Sequence, residues 1–75
     1  MMKELDIVVL KKNLAENGLR RGDVGTVVHV YELRSAFEVE FMTGKGSTVA
    51  VVTLSDKDVR PMGGRDMLHV RDLAA

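Results

Sequence analysis

Hydrophobic and polar positions alternate with a period of two most plainly in AFEVEF, where Phe37, Val39 and Phe41 form one set and Glu38 and Glu40 the other. That period is the mark of a strand with one buried and one wet face. Burial of each of the three apolar side chains contributes roughly 1.5–3 kcal/mol. Ile7 to Leu10 is a shorter apolar run between charges, with no room for a helical period, and predicts a first strand. Val24 to Glu32 is the longest extended stretch, and it differs from the others in carrying apolar residues in both alternating sets: Val24, Val28 and Val30 in one, Val27 and Tyr31 in the other. A strand buried on one face shows one such set, so this one is expected to bend and to serve both halves of a closed sheet, with Gly25 as the place for the bend or a bulge.

Turn chemistry separates the remaining runs. Arg34 and Ser35 centre the turn before AFEVEF, and TGKGS supplies two glycines to a hairpin connection into TVAVVTL, which ends at Leu54. SDKD reads as a polar turn or a single 3₁₀ turn, and Val59 to Pro61 as a short edge strand, because proline cannot donate to a ladder. In KKNLAENGLRRGD, Asn13 is a candidate cap for one helical turn, with Glu16 three residues on and Gly18 ending it in the left-handed conformation. The sum is a mainly β domain over residues 1–62, a small five-stranded SH3-like barrel with one short helical turn, followed by a C-terminal tail over residues 63–75. The tail, GGRDMLHVRDLAA, has three readings: a short amphipathic helix with Asp66 as cap and Met67, Val70 and Leu73 on one side, a strand through Leu68 and Val70, or disorder. Gly63 and Gly64 read as a flexible joint, and the apolar residues beyond them are too many for a solvated tail, so a partner or a second copy is expected to cover them.

A chain of 75 residues makes one domain with a small core, and a stability on the order of 3–5 kcal/mol is expected of it. With no cysteine, neither a disulfide nor a thiolate metal site staples the fold. Eleven basic and eleven acidic side chains cancel and are scattered, which argues against non-specific binding to nucleic acid or to a membrane surface, since both need an excess of Lys and Arg. The apolar run at Ile7 to Leu10 is too short for a signal peptide or a membrane span, so the expected compartment is the cytoplasm.

Candidate chemistry is sparse. His29 and His69 are forty positions apart with no companion ligand, which favours incidental roles over a metal site. Glu38 and Glu40 are spaced like the paired carboxylates of a hydrolase, yet alternating Glu is also the wet face of any half-buried strand, in a domain too small for a deep cleft. Ser35, Ser47 and Ser55 stand in turns without a nucleophile elbow, and GKGS lacks the spacing of a phosphate loop. No catalytic, cofactor-binding or metal-binding residue is assigned. Candidates for contact with a partner are Arg20, Arg21, Tyr31, Arg34, Met67, Leu68, Val70 and Leu73, with Lys11, Lys12 and Arg34 able to join the two arginines in a basic cluster.

GLRRGDVGTVVHVYE, FEVEF, TVAVVTL and DVRP together resemble a family of small bacterial proteins catalogued as domain of unknown function 4926, over Asp6 to Pro61, with LHVRDL as an extension. The resemblance implies an SH3-like barrel without enzymatic activity, found in bacteria including cyanobacteria, and an antitoxin or immunity role for members encoded beside toxin genes. RGDVGTVVHV is also similar to the glycine-centred turn and strand of KOW domains, which bind RNA or protein through a basic loop; the neutral charge here departs from that pattern. The expected function is therefore a non-enzymatic protein-binding module, the neutralising partner of a toxin in its narrowest form. The partner is another protein or a second copy of the chain. The alternative is a KOW-like nucleic-acid adaptor.

Overall fold

The computed structural model describes residues 2–74, with the side chain of Arg34 outside the described residues. Five strands form one antiparallel sheet: β1 (Ile7–Leu10), β2 (Val24–Tyr31), β3 (Ala36–Met42), β4 (Thr48–Ser55) and β5 (Val59–Pro61), in the spatial order β4-β3-β2-β1-β5. The domain is mainly β, as the alternating pattern requires. The ladder is open, with β4 and β5 at its edges, so the sheet is not the closed barrel expected. It is nevertheless rolled, because Leu54 of β4 and Val59 of β5 belong to one core cluster with Val8, Leu10, Leu19, Val27, Phe37, Val39 and Phe41.

β3 supplies the centre of that core. Phe37, Val39 and Phe41 are all buried, and opposite them on β4 stand Leu54, Val52 and Ala50. On the other face Glu38 and Glu40 accept hydrogen bonds from the hydroxyls of Thr53 and Thr48, at 2.7 and 2.6 Å. The two carboxylates are thus structural partners of β4 threonines on an open surface.

β2 resolves its mixed pattern by a bulge. The register with β3 slips between Val27 and His29, so Val28 is the extra residue, and the inward set changes from Gly25 and Val27 to Val30. The bulge is three residues beyond the expected Gly25. Gly25 has a different reason to be glycine: a Cβ there would sit 2.6 Å from Val39 Cγ1 and 2.8 Å from Phe41 Cε2. Bare backbone lets β2 lie directly against the β3 side chains.

The turns also differ from expectation in detail. Two 3₁₀ turns occur, at Ala15–Asn17 and Glu32–Arg34, and neither precedes the last strand. Of the two readings of SDKD, the polar turn is the one present: the Asp58 carboxylate accepts from the Ser55 N–H. Gly18 does end the first 3₁₀ turn at φ 70°, but its N-terminal residue is Leu14, not Asn13. Asn13 uses its side-chain oxygen to accept the Arg21 N–H at 2.8 Å, holding the loop across its width. Residues 63–74 form neither helix nor strand. Gly63 and Gly64 are no free joint, because Asp66 closes a turn on Gly63 with bonds in both directions.

Candidate interaction surface

The loop from Gly18 to Asp23 begins the site. Leu19 turns inward and is buried in the core, which fixes the middle of the loop and leaves Arg20 and Arg21 exposed on either side of the turn. Gly22 adopts φ 94°, a region open to glycine, and its N–H donates to the Leu10 carbonyl. Asp23 then closes the corner, its carboxylate accepting the Arg20 N–H at 2.8 Å while its own carbonyl accepts from Leu10. Turn chemistry therefore accounts for Gly22 and Asp23.

Asp23 has a second role that depends on a residue forty-eight positions away. Arg71 Nε donates to Asp23 Oδ1 at 2.9 Å, and Arg71 Nη2 donates to Asp23 Oδ2 at 2.6 Å and to the Gly18 carbonyl at 2.9 Å. This forked, charge-assisted contact spans both ends of the loop. The Arg71 hydrogen bond holds the Asp23 carboxyl below its ordinary range, with the Arg20 N–H helping and partial burial opposing. A second clasp lies at the start of the segment, where both Arg60 Nη atoms bind the two oxygens of Asp66 at 2.7 and 2.8 Å. Arg60, with the Gly63 N–H, draws the Asp66 carboxyl down to about 2.

Between these clasps the C-terminal segment lies over the sheet face turned away from the core. Val9 pairs with Val24 and Arg60 on that face, is 7% exposed, and stands outside the core cluster. It forms part of a groove of about 410 Å³ whose walls include Arg20, Arg21, Met62 and Met67. On the other side of the segment a groove of about 730 Å³ separates it from the Thr43–Ser47 turn, with Leu19, Val24, Phe41 and Val49 along it and Val70 and Leu73 on its rim. The segment is a ridge between two grooves, and its apolar side chains point largely to solvent: Met67 is 89% exposed and Val70 90%.

The sequence candidates thus fall into two groups. Arg20, Arg21, Met67, Val70 and Leu73 meet around the ridge, and Leu68 stands exposed upon it. Tyr31 lies at the far end of β2, roughly 23 Å of extended strand from Val24, where its ring meets His29 edge-on at 4.6 Å. Arg34 follows it in the second 3₁₀ turn. Its backbone is thereby set at the opposite end of β2 from the loop that carries Arg20 and Arg21. Lys12 is itself paired with Asp58 at 2.8 Å. The pattern marks Asp66 only as a helix cap and does not offer Asp23, Arg60 or Arg71 as contact residues, since each reads locally as an ordinary surface charge. Among the described residues no group of three or more His, Asp or Glu side chains is placed to hold a metal ion, and no helix is long and apolar enough to cross a membrane.

Comparison with curated proteins and with solved structures gives no match. A family model described as domain of unknown function, DUF4926, matches residues 4–61, which takes in all five strands and the Gly18–Asp23 loop and stops where the clasped segment begins. By that match the chain belongs to the DUF4926 family.

Proposed function

We propose that this protein is a non-enzymatic protein-binding module whose contact surface is the ridge from Met67 to Leu73 with the grooves beside it. One observation carries the reading: Met67, Leu68, Val70 and Leu73 are exposed on a segment that the fold holds in place through polar side chains rather than through these four. Apolar groups held together in water on an ordered segment mark a surface for another molecule. The polar surroundings suit a protein partner better than a nucleic acid, because Lys12, Arg60 and Arg71 are already neutralised by Asp58, Asp66 and Asp23. An antitoxin acting in the cytoplasm is the narrower form of this reading, with a toxin as the protein on the ridge. The test compares the wild-type chain with Met67→Ser/Val70→Ser as bait in a lysate of the native host, with quantitative mass spectrometry of what each retains. A protein retained by the wild type and lost by the variant supports the ridge; identical retention by both removes it.

A further inference from the structure

The two edges of the sheet are built on different principles. β5 offers only three residues, one of them Pro61, and its Arg60 is tied down by Asp66. Short length, proline and charge are the devices by which proteins keep an edge from pairing. β4 has none of them. It runs for eight residues, TVAVVTLS, without a charge or a proline, and among the described residues no backbone bond joins Thr48–Leu54 to anything beyond β3. In an antiparallel ladder alternate backbone groups of such an edge point outward, ready for another strand. Val51 stands 53% exposed beside them.

We infer that the β4 edge is a pairing site for a second copy of this chain, joined β4 to β4 about a two-fold axis. The occupant follows from the strand's own chemistry. Antiparallel pairing about a two-fold sets the strand against its own reverse, so β4 meets only its own residues, and with none of Thr48–Ser55 charged no like-charge pair arises within the strand. The nearest carboxylates, Glu38 and Glu40, lie one strand further in and are held there by Thr53 and Thr48. A register slip at Val49 leaves Ala50–Ser55 as the regular stretch. An axis at Val52 keeps both core faces on the same side and sets Val51 opposite Thr53 of the second copy, a β-branched pair on the outer face. The paired stretch contains no residue of the Met67–Leu73 ridge, although Val49 beside it lines the larger groove, so the pairing is tested apart from the function proposed above.

Sedimentation equilibrium of the full chain at sub-millimolar concentration tests the inference, read together with amide hydrogen exchange along β4. The wild type is expected at twice the 8.3 kDa chain mass, with amides of Ala50–Leu54 gaining protection as concentration rises. Val51→Lys, which puts two like charges at the junction, is expected to fall to the single-chain mass while keeping its β-sheet circular dichroism. If that variant fails to fold, the wild-type exchange profile decides alone. A wild type of single-chain mass at every concentration overturns the pairing. So does a dimer whose β4 amides ignore concentration, which would place the contact elsewhere, at the Met67–Leu73 ridge for instance.

Discussion

β3 and the C-terminal segment are each rich in apolar residues, yet the fold uses them in opposite ways. β3 puts Phe37, Val39 and Phe41 inside and leaves its charges on the surface. The segment from Gly63 onward does the reverse, turning Asp66 and Arg71 toward the body of the protein and Met67, Leu68 and Val70 toward water. Apolar content alone therefore does not say what an apolar residue is for. What separates the two regions is which groups make the attachment: dispersion and burial in one, charge-assisted hydrogen bonds in the other. An attachment of the second kind is weak in water and can yield to a partner.

Substitutions that strike one mode of attachment and spare the other sharpen this contrast. Phe41→Ala is expected to cost about 3–5 kcal/mol, comparable with the whole stability of so small a domain, and chemical denaturation should show a largely unfolded chain. Gly25→Ala comes next, at about 1–3 kcal/mol from overpacking, because its Cβ would press on Val39 and Phe41 at 2.6 and 2.8 Å; a lowered midpoint with an unchanged slope is expected. Arg71→Ala should move the midpoint less than either and act locally, lowering the backbone NMR order parameters from Met67 to Leu73 while those of β1 to β4 stay as they were. Acid should do the same by another route. Asp23 has its carboxyl held below the ordinary 3.8, so its contribution is complete above that pH and is lost only as the pH falls through the lowered value. The Arg71 Nε–H resonance should accordingly keep its neutral-pH position further into acid than an ordinary aspartate partner would allow, and broaden only as Asp23 takes up its proton. Met67→Ser/Val70→Ser should have the smallest effect, within about 0.5 kcal/mol of the wild type, since those side chains are 89% and 90% exposed.

The sheet was legible in the sequence wherever one alternating set was apolar. AFEVEF gave its buried face residue by residue, and Pro61 marked an edge strand. β2 was harder because a bulge changes which set points inward, and nothing in VGTVVHVY distinguishes Val28 as the extra residue. Gly25 was visible as special, but its reason, the approach of Val39 and Phe41, lies on another strand. The ridge was half legible. Its apolar residues stood out after Pro61, whereas the Arg71–Asp23 clasp joins two commonplace charges across forty-eight positions and has no local signature. Closure of the sheet could not be read from strand count, since five strands permit either an open roll or a barrel.

The most direct test of the central claim is amide hydrogen exchange on the full chain, free and then bound to whatever protein the ridge retains. In the free chain no backbone bond among the described residues ties Met67–Leu73, so its amides should exchange quickly beside those of β3. In the complex these same amides, with Arg20 and Arg21 flanking them, should become protected while β3 stays as it was. Protection that appears along Tyr31, Glu38 and Glu40 and leaves Met67–Leu73 unchanged would contradict the account.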